Sequence, residues 1–436
     1  MSSKRKKLVF ITARLPYPAS SGQKNLLTNY CRILHNVYGY EITLISFLEA
    51  GDIIEPIPNF IHKVVELPNV SGKQKVINML VKTLLLREFP MQVSLFFDHK
   101  HQKTIDLIIK ETKPDVVMTD MVRTSEYARN YEGYKIASLD DMLSIRYRRQ
   151  LDVDLSTVNP YGAFLYSLPK FMIAILSKKV IKKIILKNEI ELLHKYERNV
   201  AKDYDRTVFV AEREAEVLNK DLNFNRAIAI PLGVDIDFYG QYYGKIQSQK
   251  HTIAFLGAMS VAHNESAAIN FIQNILPLIL NKIKDAKFII VGGGVTDQLK
   301  KYATKHVEFT GRVEDVRTVV GACAVFVCPL TFGSGIKTKN LEAMAMGVPI
   351  VTTSIGAENI HAKEGIDWLV ADDSNDFANK VVRILEDEKF GQELAANAHS
   401  FVKDNFTWKV TTERFGFMKN PPRVCDLERT KFYSEM

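Results

Sequence analysis

Short apolar runs alternate with helix-forming stretches along most of the chain, and this alternation constrains the fold more than any other feature of the sequence. Runs such as KLVFITARL, YEITLISF and KFIIVGGG are typical of strands that are buried on both faces. Strands that alternate with helices predict a mostly parallel sheet covered on both sides. The alternation is interrupted by a polar stretch near residues 236–250 and then starts again. We therefore predict an α/β protein with two doubly wound, Rossmann-like domains.

The interruption sets the predicted domain boundaries. Residues 1–238 form the N-terminal domain, which includes a helical segment at about 156–202, and residues 239–405 form the C-terminal domain. Residues 406–436 form a last helix and a polar tail. A length of 436 residues fits two domains of ordinary size.

Composition excludes several classes of protein. A hydrophobic content of 46% and a charged content of 25% are those of a soluble globular protein. The four cysteines form no CxxC pair, which favours a reducing, cytoplasmic compartment over a disulfide framework. The first residues predict a strand behind a basic tail rather than a signal peptide, and no window is apolar enough to cross a bilayer.

Positive charge is concentrated in the first half of the chain. The net charge is +8, of which residues 1–200 carry +10 and residues 201–436 carry −2. Residues 156–188 hold six lysines and no acidic residue, and their aliphatic side chains recur at helical spacing. A basic amphipathic helix suits an anionic membrane surface, so we predict peripheral membrane contact. A core-facing helix with solvated lysines is the alternative, and the absence of a recognised module argues against nucleic acid.

A glycine-rich turn followed by a short helix indicates an anion site. The sequence PLTFGSGIKTKNLEAMAMGVPIVTTSIGAENI places this turn directly after a predicted strand, where ligands bind in α/β sheets. A helix that starts near Ile336 would point its N-terminus at a bound anion. Lys337 and Lys339 in its first turn oppose the helix dipole, which makes sense beside a diphosphate. Glu342 could accept two hydrogen bonds from a ribose diol, whereas a surface glutamate on an ordinary helix is the alternative.

The same stretch resembles the donor-binding signature of the family 4 glycosyltransferases, which are retaining enzymes of the GT-B fold. ITARLPYPASSGQKNLL is similar to their first strand and glycine loop, and RTVFVAEREAEVL with IPLGVDIDFY resembles the end of their N-terminal domain. FIIVGGG and VEFTGRVEDV resemble the first half of their C-terminal domain. The resemblance implies two domains with a cleft between them. It also implies that Gly22 lies in the loop that closes on the donor diphosphate and that Arg312 and Val313 border the nucleobase.

The phosphate and ribose contacts also follow from the resemblance. It implies that Gly335, Ile336 and Lys337 hold phosphate and that Glu342 holds the ribose of the donor. Ser334 stands where many members carry a glutamate that contacts the transferred sugar. Recognition of the sugar at Ser334 therefore differs from that in many members.

Two further positions depart from the family pattern. At two positions, members of the family often carry an arginine and a lysine that bind phosphate. This chain has Ala258 and His263 at those positions. We expect Lys337 to supply the missing charge, and His263 and Asn264 to contact the donor.

The expected chemistry consists mainly of stabilising the departing phosphate, which a lysine and backbone N–H groups can do without a metal ion. Lys337 is the candidate for this role. Asp120, Arg123 and Asp141 are the candidate catalytic residues on the acceptor side, because they follow predicted strand ends. Asp140 shares that position. We expect no cofactor, since the nucleotide-diphosphate sugar is a substrate.

The sequence thus predicts a metal-independent retaining glycosyltransferase that acts on a glycan or lipid-linked acceptor in cell-surface polysaccharide biosynthesis. We expect it to be cytoplasmic, with peripheral contact at the inner face of the cell membrane. Two alternatives stay open: a nucleotide-sugar epimerase, and a non-catalytic GT-B protein that serves as an assembly partner. Two DxD triplets, which begin at Asp152 and Asp235, are common enough by chance that we predict no metal site.

Overall fold

The chain forms two compact units. The structure is a computed structural model, and it describes residues 5–19, 22–48, 51–151, 173–174, 176–246, 248–333 and 335–421. The first unit consists of Met1–Pro231 with Thr412–Met436, and the second consists of Leu232–Thr411. The sequence prediction had divided the chain after residues 238 and 405.

A parallel sheet of seven strands forms the centre of the first unit in the described part of the chain. Its strands lie in the order β3-β2-β1-β4-β5-β6-β7. They are β1 (Lys6–Thr12), β2 (Tyr40–Phe47), β3 (Lys63–Leu67), β4 (Val116–Asp120), β5 (Tyr134–Asp140), β6 (Arg206–Phe209) and β7 (Ala227–Ala229). All five residues of β4 are buried, as expected for a central strand covered on both faces.

Helices connect these strands. They are α1 (Gly22–Asn36), α2 (Gly72–Asn78), α3 (Met91–Ser94), α4 (His99–Thr112), α5 (Met121–Ser125), α6 (Leu143–Gln150), α7 (Lys179–Asp203) and α8 (Glu212–Leu222). A π-helical stretch, Met79–Leu85, continues α2. The helical segment predicted at 156–202 is described only from residue 173 onward, with residue 175 excepted, so most of its first part lies outside the described residues.

A second parallel sheet, of six described strands, forms the centre of the second unit in the order β10-β9-β8-β11-β12-β13. Its strands are β8 (Gln249–Leu256), β9 (Lys287–Val291), β10 (Val307–Gly311), β11 (Cys323–Cys328), β12 (Ile350–Thr352) and β13 (Leu369–Val370). Its helices are α9 (Ile236–Tyr239), α10 (Ala262–Asn270), α11 (Leu276–Lys282), α12 (Asp297–Lys300), α13 (Val316–Val320), α14 (Thr338–Ala345), α15 (Ser354–Ala357), α16 (Ser374–Glu386) and α17 (Glu388–Asn405).

Both sheets reverse their strand order beside their first strand. The reversal lies between β1 and β4 in the first unit and between β8 and β11 in the second. Such a switch point opens a crevice at the carboxyl ends of the strands, and open α/β sheets bind ligands there. The predicted doubly wound α/β architecture is confirmed.

The end of the described chain packs in the first unit. The helix α18 (Trp408–Arg414) is followed by a 3₁₀ stretch, Phe415–Lys419. The hydroxyl of Tyr40 donates to the carbonyl of Met418 at 3.0 Å, and the ring of Phe415 meets the ring of Tyr30 edge-on at 4.8 Å. Across the described residues, the helices lack the combination of length and hydropathy that a bilayer span requires.

Candidate active site

The switch point of the second unit is built on two glycines that follow strands β8 and β9. Gly292 has a φ of +134°, and a Cβ added to it would lie 2.0 Å from the carbonyl oxygen of Gly257. A Cβ on Gly257 would lie 2.8 Å from Nδ2 of Asn264 and 2.9 Å from Nζ of Lys339. The backbone excludes a side chain at Gly292, and the polar groups of Asn264 and Lys339 approach the backbone of Gly257 closely.

Asn264 holds Lys339 at this place. Its Nδ2 donates to the carbonyl of Ala258 at 3.0 Å, and its Oδ1 accepts from Nζ of Lys339 at 2.6 Å. The ammonium of Lys339 also lies 4.6 Å from the centre of the Phe255 ring. Burial lowers the pKa of Lys339. Asn264 thus has a structural role, because it fixes a half-buried cation, and its predicted donor contact stays a prediction.

His263 is a neutral group beside two cations. Burial, followed by the charges of Lys339 and Lys337, lowers the pKa of His263 to about 4. Its ring meets that of Phe332 edge-on at 6.3 Å between centroids. His263 therefore adds no positive charge near pH 7, but it can exchange hydrogen bonds with a ligand.

The glycine turn after β11 takes the backbone conformations that its sequence predicts. Gly333 and Gly335 have φ values of +145° and +69°. Nζ of Lys337 donates to the carbonyl of Gly335 at 2.7 Å, and Lys337 is 7% exposed. Ser334 lies outside the described residues.

The following helix begins slightly later than the predicted start near Ile336. Helix α14 begins at Thr338, and Lys337 occupies its N-cap position. The positive φ of Gly335 keeps the preceding residues out of a helical conformation. Lys337 thus lies just before the helix, from where its side chain turns back onto the glycine turn.

Glu342 lies in the second turn of α14 and is mostly buried. Burial raises its pKa, while a hydrogen bond from the Tyr239 hydroxyl and the charge of Lys339 act in the opposite direction. Tyr239 belongs to α9, which is distant from Glu342 in sequence. Sequence reasoning missed Tyr239, because no local pattern signals a contact between α9 and α14.

The predicted nucleobase residues follow strand β10. Arg312 is exposed, and Val313 is half-buried against the core of the second unit. A Cβ added to Gly293 would lie 3.8 Å from Cβ of Arg312, which places Arg312 beside the turn after β9. Their predicted role in binding the base stays a prediction.

Carboxylates meet at the switch point of the first unit. Asp120 ends β4 and is fully buried, and its Oδ2 accepts from the backbone N–H of Ala13 at 3.0 Å. Nε2 of Gln23 donates to Oδ2 of Asp140 at 2.9 Å and to Oδ1 of Asp120 at 3.4 Å. Burial raises the pKa of both carboxyl groups, and the Asp120 charge raises that of Asp140 further. Gln23 was missed by sequence reasoning, since only the fold brings it between two strand ends.

The other predicted acceptor-side residues lie around this pair. Nε of Arg123 donates to Oε1 of Gln92 at 3.0 Å, and burial lowers the pKa of Arg123. Nε of Arg146 donates to Oδ2 of Asp141 at 2.7 Å, whereas Oδ1 of Asp141 is buried without a hydrogen-bond partner.

Gly22 was predicted to lie in a loop, but it is the first residue of helix α1. A Cβ added to Gly22 would meet no atom within 4 Å. Its predicted contact with the donor diphosphate stays a prediction.

The described residues contain no group of three or more histidine, cysteine or acidic side chains that could hold a metal ion. Asp235 of one DxD triplet caps α9 by accepting from the N–H of Phe238 at 2.9 Å. Asp152 and Asp154 of the other triplet lie outside the described residues.

Comparison with known sequences agrees with this geometry. Residues 250–387 match the sequence model described as Glycosyl transferases group 1. The chain is 22% identical over 414 residues to an uncharacterized 44.6 kDa protein in the cps region of Klebsiella pneumoniae, which covers 92% of this chain and 97% of that protein. It is 30% identical over 164 residues to a Campylobacter jejuni enzyme named GalNAc-alpha-(1->4)-GalNAc-alpha-(1->3)-diNAcBac-PP-undecaprenol alpha-1,4-N-acetyl-D-galactosaminyltransferase. That match covers 36% of this chain and 44% of the enzyme.

Solved structures share the fold at low sequence identity. Sucrose-phosphate synthase from Thermosynechococcus elongatus is 13% identical and has a TM-score of 0.66, covering 99% of this chain and 100% of its own. HepE from Anabaena, solved in complex with UDP, is 13% identical with a TM-score of 0.59, covering 94% of this chain and 98% of its own. These likenesses show the fold.

Proposed function

We propose that the chain is a glycosyltransferase of the GT-B fold, similar to family 4, and that it transfers a sugar from a nucleotide-diphosphate donor with retention of configuration. The observation that supports this most is the group formed by Lys337, Lys339 and the neutral His263 at the switch point of the second unit. A donor diphosphate placed there would meet the buried Lys337, the half-buried Lys339 and the N-terminus of α14.

The proposed reaction needs no metal ion. The bond between the anomeric carbon and the diphosphate oxygen breaks, and the acceptor oxygen forms a new bond to that carbon on the same face. The departing diphosphate takes the proton of the acceptor hydroxyl. Negative charge develops on the leaving oxygen, so fixed cations and N–H dipoles would lower the barrier. Lys337, which is already held over the glycine turn, is positioned for this role.

Glu342 would recognise the ribose of the donor. Its carboxylate already accepts from the Tyr239 hydroxyl, which orients it. Hydrogen bonds from a ribose diol to a carboxylate are charge-assisted and therefore stronger than neutral ones.

The acceptor would bind at the switch point of the first unit. Asp120 and Asp140 are held together by Gln23, and Arg123 lies near them in a buried setting. Carboxylates in this arrangement suit the recognition of sugar hydroxyls, which donate hydrogen bonds. Asp141 has a buried oxygen without a partner in the described structure, so it adds a further acceptor atom.

We propose a glycan or lipid-linked glycan as the acceptor, in the biosynthesis of a cell-surface polysaccharide or glycolipid. The name of the Campylobacter enzyme specifies an undecaprenol-linked substrate, and the Klebsiella relative is encoded in a cps region. A lipid-linked acceptor fits a protein that is cytoplasmic and contacts the membrane peripherally. The excess of lysines before residue 188 supports this contact.

Calorimetric titration tests the donor site. The full chain is titrated without divalent metal with UDP, GDP, ADP and TDP. We expect one of them to bind, and Glu342→Ala to weaken that binding by roughly 1–3 kcal/mol, as for a buried hydrogen bond to a charged group. Glu393→Ala, at an exposed position of α17, serves as the control and should bind like the wild type. Binding of none of the four nucleotides would favour a non-catalytic partner instead.

A further inference from the structure

The helix formed by Gly72–Asn78 and its π-helical continuation Met79–Leu85 exposes most of its aliphatic side chains and buries two polar ones, Asn78 and Thr83. Leu85 is 75% exposed, whereas Asn78 and Thr83 are each 2% exposed. The exposed aliphatic residues of this segment, together with Leu86 at its C-cap, are Val76, Ile77, Leu80, Val81, Leu84, Leu85 and Leu86. We call this group the aliphatic patch. Its distribution is the reverse of that in a helix whose apolar face packs on the core.

Hydrogen bonds fix the patch in its outward direction. Nδ2 of Asn78 donates to the carbonyls of Ser94 and Phe97 at 2.9 and 2.7 Å. The hydroxyls of Thr83 and Ser94 lie 2.7 Å apart. Rotating the helix to bury its leucines would break these bonds and leave buried polar groups unpaired, which is unfavourable. The exposure of the patch is therefore a property of the fold.

The start of α7 extends the exposed apolar surface. Val180 and Ile184 are 69% and 60% exposed, while Ile185 packs against the same buried cluster as Met79 of the patch helix. The guanidinium of Arg87, just beyond the patch, donates to Oδ1 of Asn188 on α7 at 2.6 Å. The two helices are therefore neighbours. Val180 and Ile184 belong to the stripe for which the sequence predicts membrane contact.

The charge around this surface is mainly positive. Residues 71–88 contain four basic residues and one acidic residue, Glu88, which pairs with Lys82, while Arg87 pairs with Glu191 of α7. Residues 173–188 contain five lysines and no acidic residue. A second copy of the chain would bring like charges together in a two-fold contact. An anionic bilayer offers both the apolar interior and the phosphates that this surface complements.

We propose that the aliphatic patch, together with Val180 and Ile184, inserts into the headgroup region of an anionic membrane with the helix in the plane of the bilayer. This inference deepens the proposed function and rests on its membrane-linked acceptor. The flanking lysines then lie at the level of the lipid phosphates. The patch thereby anchors the first unit, which holds the proposed acceptor site, at the surface where a lipid-linked glycan is found.

Vesicle flotation with the full chain tests this surface. The probes are vesicles of phosphatidylglycerol and phosphatidylcholine in equal parts, and vesicles of phosphatidylcholine alone. We expect binding to the anionic vesicles, and the triple variant Leu80→Gln, Leu84→Gln, Leu85→Gln should lower the partition coefficient at least about tenfold, because several leucines leave the lipid. The matched control replaces three exposed aliphatic residues elsewhere in the first unit, Val37→Gln, Ile53→Gln and Leu107→Gln, and should float like the wild type.

Nucleotide titration of the same triple variant separates this inference from the proposed function. Unchanged nucleotide binding and an unchanged thermal unfolding profile with lost flotation support the membrane surface, since together they exclude unfolding of either unit. Flotation of the triple variant at the wild-type level would overturn the inference and leave the transferase proposal intact. Failure of the wild-type chain to bind anionic vesicles would overturn the inference as well. A wild-type dimer in sedimentation, with a monomeric triple variant, would also overturn it, because the patch would then be a dimer interface.

Discussion

Nζ of Lys339 lies 2.6 Å from Oδ1 of Asn264, whose amide is anchored in turn on the carbonyl of Ala258. The half-buried ammonium of Lys339 is thus held in place by a neutral amide. The positive charge of Lys339 is therefore not cancelled by this partner, which favours an anionic ligand at the same place.

We expect Asn264→Ala to weaken binding of the nucleoside diphosphate that the wild type prefers. Lys339 loses its anchor, so the expected loss is about 1–3 kcal/mol. Calorimetry measures the binding free energy of the nucleoside diphosphate and of the corresponding nucleoside. We expect the substitution to weaken binding of the diphosphate and to leave binding of the nucleoside unchanged. Asn274→Ala, at an exposed position of the same unit, is the control. An equal loss for the nucleoside would mean that the substitution disturbs the whole site.

Donor affinity should fall as the pH is lowered. Burial raises the pKa of Glu342, and only the ionised carboxylate accepts hydrogen bonds from both ribose hydroxyls. Protonation as the pH falls through this raised pKa therefore removes those bonds. Titration of the nucleotide at several pH values below 7 measures the effect, and Glu342→Gln should flatten the profile. A wild-type affinity that stays constant as the pH falls would rule out this role of Glu342.

The first unit should lose stability as the pH rises through about 7. Burial raises the pKa of Glu189 from 4.5 to about 7, although its carboxylate accepts from the N–H groups of Met91 and Gln92. A raised folded-state pKa means that the folded protein holds this proton more tightly than the unfolded chain does. The contribution is complete below pH 4.5 and is lost above about 7, and it amounts to roughly 3 kcal/mol at most.

Thermal unfolding across this pH range measures the contribution of Glu189. Glu189→Gln should reduce the pH dependence of the unfolding midpoint. Glu191→Gln on the same helix is the matched control, because the side chain of Glu191 is 74% exposed. Identical pH profiles for Glu189→Gln and the wild type would contradict the assignment.

Gly292→Ala should destabilise the second unit severely. The new Cβ would lie 2.0 Å from the carbonyl oxygen of Gly257, at a φ of +134° that other residues rarely adopt. Backbone atoms would have to move, and we expect a cost of several kcal/mol. Gly416→Ala, where a Cβ would meet no atom within 4 Å, should change the unfolding midpoint little. Comparable unfolding midpoints for the two variants would show that the backbone of the turn after β9 can rearrange at little energetic cost.

The fold could be predicted from the sequence because its signals are local. Buried strands and the helices between them leave apolar runs with distinct periods, and the glycine turn before α14 has its own composition. The pairing of Gln23 with Asp120 and Asp140, and that of Tyr239 with Glu342, could not be predicted, since each joins distant parts of the chain. The start of α14 lies slightly later than predicted because the positive φ of Gly335 delays the helix.

The packing of residues 412–421 in the first unit has a consequence for biosynthesis. The second unit is inserted into the sequence of the first, whose last segment supplies Phe415 to the ring of Tyr30 and a carbonyl to Tyr40. The ribosome therefore synthesises the whole second unit before it synthesises the last segment of the first unit, which begins at Thr412. Tyr30 and Tyr40 gain these contacts only after that segment is made, so the first unit reaches its native packing only after the second unit has been synthesised.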